Sequence, residues 1–434
     1  MIKGAQTVWM RALEIKKGDG MILNLNEHIE KSFQRLSSED YSIGKIWKDG
    51  GYGWPADWEG RALLAFVCLF EVQGKKIPCM DLLIKELPNR MNGRGYMGSI
   101  LSDGTADEQQ LSGHSWMLRG LVAYYRMFGN TDAALYAKSI VENLFLPCAN
   151  LYASYPVESR SLTGGVSGCS TEMKNGWLLS SDIGCAFMCM DGLSAYYEMT
   201  EDVRVKETFD RLAEGFMRLD RMRMQCQTHA TLSAARGLMR MFRCTGNEKY
   251  FQSAKEVFSY YIQYGMTLTF ENFNWFGREK SWTEPCAVTD SFILALWFWE
   301  ITREDCYRTL ASRIWYNGLT FCHRENGGAG PNECVTSVQP YLSVNMYEAP
   351  FCCTMRYCEA LVFAKKYEKV IESSDGFYKD GFGRLFWGNR LLAEDSENKF
   401  PQEKRYLWSG KEFIAIPSFP SEGKYKLKII DGKR

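Results

Sequence analysis

The chain has 434 residues, 46% of them hydrophobic and 14% aromatic, enough to bury a large core. Its 52 basic and 52 acidic residues cancel, so no basic stripe points to nucleic acid or to an anionic membrane as partner. It contains no run of about 18 apolar residues, the length a transmembrane helix needs.

The N-terminal stretch Met1–Asn24 carries Lys3, Arg11, Lys16 and Lys17 but no continuous apolar segment, so it does not read as a signal peptide. Without a secretion signal, the 15 Cys argue against a disulfide scaffold. The expected setting is a reducing cytoplasm in which most Cys act as small buried hydrophobes.

Arg61–Phe70 is the first of six nearly all-apolar stretches. Four copies of one shape follow: Gly120–Asn130, Gly192–Asp202, Gly237–Asn247 and Ala295–Asp305. Each is an aromatic-rich helix end closed by a Gly, Asn or Asp turn. An amphipathic second helix comes next, as in Tyr250–Tyr261 or Tyr307–Tyr316. Arg356–Ala364 is the sixth stretch. Such an internal repeat predicts stacked helical hairpins. Six inner and six outer helices make an (α/α)6 barrel, a mainly α fold, over residues 1–367. Long loops fall at about 146–181 and 320–351. Residues 368–434 change character, with short β-like runs at Phe377–Leu391 and Tyr406–Ile430 broken by Gly, Pro and charge. They read as a small C-terminal β appendage.

Polar residues gather where each inner helix begins. They are Asp57, Trp58 and Glu59; His114; Asp182 and Cys185; His229; Glu284 and Cys286; Cys352 and Cys353. If the helices form one ring, these six places share one mouth, the concave setting expected of a small-ligand site. Three thiolates and one carboxylate can complete a tetrahedral zinc site. The alternative is that these are ordinary buried Cys in a Cys-rich chain. A metal-bound thiolate can serve as a nucleophile. A retaining glycosidase would then need a carboxyl group as acid and base. Glu271 is the candidate, in the aromatic loop Thr269–Gly277 whose Trp275 offers a platform for a sugar ring. Its alternative reading is a solvated loop carboxylate.

The segment Trp282-Thr-Glu-Pro-Cys-Ala287, followed at a distance by Cys352-Cys353, resembles the zinc–cysteine signature of the β-L-arabinofuranosidases, glycoside hydrolase family 127 and its relatives. The resemblance implies zinc held by Glu284, Cys286, Cys352 and Cys353, with Cys352 as nucleophile and Glu271 as acid/base. It also implies that His114 and His229 hydrogen-bond the sugar, with Asp57, Trp58, Cys185 and Trp275 completing the substrate site. The chain departs from the family at several places, among them a shorter Glu271–Glu284 interval and a curtailed C-terminal β region. Asp182-Ile-Gly-Cys185 stands where a third sugar-contacting His is expected, and Thr354-Met355-Arg356 follows the Cys pair in place of Pro-Pro-Asn.

The expected function is therefore a retaining glycoside hydrolase releasing L-arabinofuranose or a related sugar, with a small carbohydrate or glycan-derived oligosaccharide as partner. The Cys and aromatic content would permit a homodimer. Two other readings stay open: a sugar isomerase, epimerase or other zinc-dependent helical-barrel enzyme that leans on His114 and His229, and a non-catalytic sugar-binding protein whose zinc staples two loops.

Overall fold

A computed structural model describes residues 25–47, 53–159, 167–267, 269–334 and 344–371 with their side chains. It further describes the backbone of residue 372 and of the strands Thr7–Arg11, Phe377–Lys379, Leu385–Trp387, Arg390–Ala393, Lys404–Trp408, Lys411–Phe419 and Lys424–Ile430.

Six inner helices form the frame: Asp57–Gln73, Glu108–Phe128, Cys189–Thr200, Thr228–Thr245, Pro285–Thr302 and Cys353–Lys366. Each packs on the next, and the sixth packs back on the first, closing the ring. An outer helix accompanies each of them: Leu25–Leu36, Cys79–Glu86, Thr131–Ile140, Val203–Met217, Glu248–Tyr264 and Asp305–Arg313. The fold is an (α/α)6 barrel, as the repeat predicts. Leu25–Leu36 lies in the N-terminal segment and fills the outer position between the sixth and first inner helices.

The repeated turn has a local cause. Five inner helices end on a left-handed residue whose N–H returns to the carbonyl four positions back: Gly74, Gly129, Glu201, Gly246 and Arg303. The side chains of Asn130, Asp202 and Asn247 then cap the outer helices that follow. The second to fifth hairpins thus reverse within two residues, and the first through the longer link 74–78.

The inner ring is tight because small residues sit at helix crossings. A Cβ on Gly60 would lie 2.1 Å from the Met117 backbone nitrogen, and one on Gly237 would lie 2.6 Å from the Met190 carbonyl. The lumen, by contrast, is polar. Arg119, Arg236, Arg240 and Arg356 interleave with Asp191, Asp290 and Glu359, all buried. Every carboxylate in this cluster accepts from at least two guanidinium groups, which is what makes so many buried charges tolerable.

Among the described residues are three small sheets. One, with order Ala106–Asp107, Trp177–Ser180, Ser170–Lys174, joins the start of the second inner helix to the 146–181 loop region and leads into Asp182. The others are Phe377–Lys379, Leu385–Trp387, Arg390–Ala393, and a four-stranded sheet in which Thr7–Arg11 pairs antiparallel with Lys424–Ile430. The C-terminal region begins with the short helix Glu368–Glu372 before its strands. Among the described residues no helix is long and apolar enough to cross a membrane.

Candidate active site and metal centre

The N-termini of the inner helices open into a cavity of about 410 Å³. The fifth and sixth helices bring the thiols together. Cys286 stands in the first turn of Pro285–Thr302, behind the helix-starting Pro285, and Cys353 opens the sixth helix. The Cys286 and Cys353 sulfurs are 3.8 Å apart, and those of Cys352 and Cys353 are 3.4 Å apart. A tetrahedral ion with Zn–S bonds near 2.3 Å separates its sulfurs by about 3.8 Å. All three Cys are free thiols. Their sulfurs lie within 4.8 Å of one another, and so do the ligand atoms of His229, Glu284 and Cys286.

Glu284 is held beside the sulfurs by its backbone. Its N–H donates to the Asn272 side chain at 2.7 Å, and the preceding Thr283 pairs through backbone and hydroxyl with Asn332. One carboxylate oxygen of Glu284 lies 3.1 Å from His229 Nδ1, while the buried Oε2 has no hydrogen-bond partner. An unsatisfied carboxylate oxygen beside His229 and Cys286, with Cys286 also one of three convergent thiols, is a donor set suited to a soft divalent ion, so these residues fit a metal.

The electrostatics separate the three sulfurs. Thiol hydrogen bonds from Cys286 and Cys353, aided by the Arg61 guanidinium, hold Cys352 below the usual thiol range. Burial pushes Cys286 up to about 12 and raises Cys353 well above the usual thiol range. Cys352 is half-buried and lines the cavity, whereas Cys286 and Cys353 are buried. Arg61 grips Asp57 through both carboxylate oxygens at 2.9 and 3.0 Å and reaches Cys286 Sγ at 3.7 Å. Burial works against a proton on His229, but the Glu284 and Cys286 charges outweigh it and raise its pKa.

The residues singled out in the sequence divide into two groups. Asp57, His229, Glu284, Cys352 and Cys353 line the cavity, and Cys286 sits directly behind it. His114, Trp58, Cys185, Trp275 and Glu271 are not among the lining residues. Both ring nitrogens of His114 are engaged by backbone, Nε2 by the Met97 N–H and Nδ1 by the Gln110 carbonyl, and burial lowers its pKa to about 4. Trp58 packs against Phe351, and Cys185 is fully buried. Trp275 is enclosed between Trp282 and Arg278. Glu271 is fully buried. Its Oε1 accepts from Asn332 at 2.7 Å and Thr283 at 3.2 Å, and its Oε2 accepts from Thr269 at 3.0 Å. Burial pushes its pKa up to about 7 against those hydrogen bonds.

Arg61, Gln227, Asn274 and Trp282 line the wall although the sequence did not single them out for the site, alongside Trp54 and the helix-start residue Asp182. Arg61 follows Asp57 by one helical turn, a spacing that predicts the ion pair. Trp282, which opens the Trp-Thr-Glu-Pro-Cys segment, is an aromatic face on the wall, and Trp275 is not. Asp182 is buried with its carboxylate accepting from the Ser167 hydroxyl at 2.8 and 3.0 Å. Burial raises its pKa to about 7, with the Ser167 bond opposing and the Glu284 charge assisting.

No family model and no curated protein matches the sequence. Solved structures do match in fold. One described as a glycoside hydrolase superposes with a TM-score of 0.52 at 12% identity, over 98% of this chain and 69% of that one. A β-arabinofuranosidase of glycoside hydrolase family 127 gives 0.52 at 11% identity, over 99% and 70%. The cellobiose 2-epimerase of Bacillus thermoamylovorans gives 0.50 at 15% identity, over 78% and 99%. At these identities the likeness establishes the (α/α)6 architecture.

Proposed function

We propose that this protein is a retaining glycoside hydrolase in which Cys352 is the nucleophile and zinc is held by Glu284, Cys286, Cys352 and Cys353. The carrying observation is the division of labour among the sulfurs: three thiols converge, and the one that is not fully buried, Cys352, is also the one whose surroundings favour the thiolate. When bound, zinc would supply a fixed positive charge that keeps the cysteines as thiolates.

The chain's own residues supply the rest. Cys352 faces a cavity that is large enough for one or two sugar rings and is walled by Trp54, Trp282 and Phe351. His229, with its Nδ1 on Glu284, offers a polar contact at the base of the cavity. Arg61 adds positive charge beside the sulfurs. The sulfur attacks the anomeric carbon while a carboxylic acid protonates the departing oxygen. The resulting carboxylate then takes a proton from the water that releases the sugar from sulfur. An arabinofuranoside is the preferred substrate class on motif grounds, through the Glu284-Pro285-Cys286 and Cys352-Cys353 signature.

The epimerase reading asks for two histidines free for proton transfer. His114 has both nitrogens committed to backbone, which leaves His229 alone and favours hydrolysis. The test is metal analysis of purified protein together with a panel of nitrophenyl furanosides and pyranosides. One zinc per chain and release of nitrophenol from at least one glycoside are expected. Stoichiometric zinc with no hydrolysis across the panel would contradict the glycosidase reading.

A further inference from the structure

We infer that Asp182 is the proton donor and acceptor of the reaction, acting from the cavity wall opposite Cys352. The inference rests on the glycosidase reading above. Its first support is position. Asp182 precedes the third inner helix and Cys352 precedes the sixth, three places away in a ring of six, so the two stand across the mouth from each other. Both line the same cavity. A retaining mechanism needs that disposition, with the attacking atom on one side of the anomeric centre and the acid on the other.

The second support is how the carboxyl is held. The backbone carbonyl of Asp182 accepts from the Cys185 N–H at 3.0 Å, and its N–H donates to the Ser180 hydroxyl at 3.1 Å. Those bonds anchor the residue between the strand Trp177–Ser180 and the third inner helix. The carboxylate accepts from Ser167, itself on the cavity wall, so the carboxyl lies at the surface a sugar would touch. Burial is the main influence that keeps the carboxyl neutral, against the Ser167 hydroxyl and the Gly168 N–H, which favour the carboxylate. A carboxyl kept protonated near neutrality by such surroundings can serve as a general acid.

Glu271 offers the contrast. Its two oxygens accept three hydrogen bonds from Thr269, Thr283 and Asn332, and it does not line the cavity. Its bonds clamp the segment carrying Glu284 to the loop carrying Asn332. Glu271 is then a positioning residue for the metal ligands.

The step balances without another reactant. As the bond from anomeric carbon to leaving oxygen breaks, a carbon–sulfur bond forms to Cys352 and the Asp182 proton passes to that oxygen. Water then attacks the same carbon, the sulfur leaves with its electron pair, and the Asp182 carboxylate takes the water's proton.

The test uses the full-length zinc-loaded protein and the sugar that the wild type hydrolyses best, attached in turn to dinitrophenyl, nitrophenyl and methyl aglycones. Asp182→Asn is expected to lower kcat/KM for the methyl glycoside by about a thousandfold, within the range general acid–base catalysis supplies. The dinitrophenyl glycoside needs no proton, and its loss is expected to stay under about tenfold for the glycosylation step. Added azide, which needs no general base, is expected to restore turnover and yield the glycosyl azide. Ser167→Ala keeps the carboxyl and is expected to show a weaker loss graded the same way, so the result does not depend on Asp182→Asn folding. Losses equal across all three aglycones in both variants would overturn the inference, as would a graded loss in Glu271→Gln instead. If the wild type hydrolyses none of the panel, the glycosidase reading itself fails, a result distinct from either pattern.

Discussion

The sulfurs of Cys286 and Cys353 lie 3.8 Å apart although 67 positions separate the residues in the chain. Two helix starts meet there, from neighbouring members of the ring, and each contributes its partial positive charge to the thiols it carries. That meeting point is the basis of the metal assignment. Cys286→Ser removes one soft ligand while keeping its size. The variant is expected to lose stoichiometric zinc after dialysis, measured by elemental analysis, with the wild type retaining about one ion per chain. Equal zinc content in both would remove Cys286 from the ligand set.

The lumen cluster makes a separate prediction about stability. Glu359 accepts from Arg119, Arg236 and Arg356, so four guanidinium groups share three carboxylates. Glu359→Gln leaves four buried cations facing two. Removing one partner from a buried ion cluster costs about 3–5 kcal/mol. Urea unfolding monitored by circular dichroism is expected to show a loss in that range, and a loss under about 1 kcal/mol would mean the cluster is far better solvated than its burial implies.

Glu271 makes a prediction in pH. Its folded pKa is about 7 because burial favours the neutral form, above the 4.5 of an unfolded glutamate. A raised pKa means the folded state binds the proton more tightly. The associated stability is fully present below pH 4.5 and is lost as pH rises through about 7. Asp182, raised to about 7 from 3.8, acts in nearly the same window. Glu271→Gln is therefore expected to flatten the fall in unfolding free energy between pH 5 and 8 by about 3 kcal/mol at most. An unchanged slope would show that Glu271 is ionised when buried.

Gly60 tests the tightness of the ring. A methyl group there meets the Met117 nitrogen at 2.1 Å and the Trp116 carbonyl carbon at 2.4 Å, both backbone atoms that cannot swing aside. Gly60→Ala is expected to lower stability by about 1–3 kcal/mol or more through forced separation of the first two inner helices. Calorimetry showing an unchanged melting temperature would contradict the close crossing.

Much of this architecture is legible in the sequence, for identifiable reasons. The inner helices announce themselves because each is rich in apolar residues and five of the six end in a left-handed residue, so Gly129-Asn130 and Gly246-Asn247 punctuate the chain at structural boundaries. The helix Leu25–Leu36 carries no such mark, and its place in closing the ring depends on tertiary packing alone. Within the site, Glu284, Cys286, Cys352 and Cys353 are legible because helix starts convert two short motifs into one cluster. The difference between His114 and His229 is not. His229 is the second residue of its inner helix and meets Glu284, whereas the second inner helix starts at Glu108, so His114 lies further along it, where the Met97 backbone reaches over the ring and satisfies it. Trp275 and Trp282 are likewise interchangeable in sequence. The β-bridge of Trp282 with Glu333 goes with its place on the wall, and the bridge of Trp275 with Gln227 goes with its burial. Asp182 was visible as a helix-start residue but unremarkable until the cavity placed it across from Cys352.

The most direct measurement of the central claim is kcat/KM of Cys352→Ser on the best aryl glycoside, with thermal unfolding run in parallel. A serine hydroxyl cannot reach the ionised state that the Cys352 surroundings favour in a thiol. A loss of about a thousandfold or more is expected in a protein that still unfolds cooperatively. Near wild-type hydrolysis by Cys352→Ser would contradict the central claim.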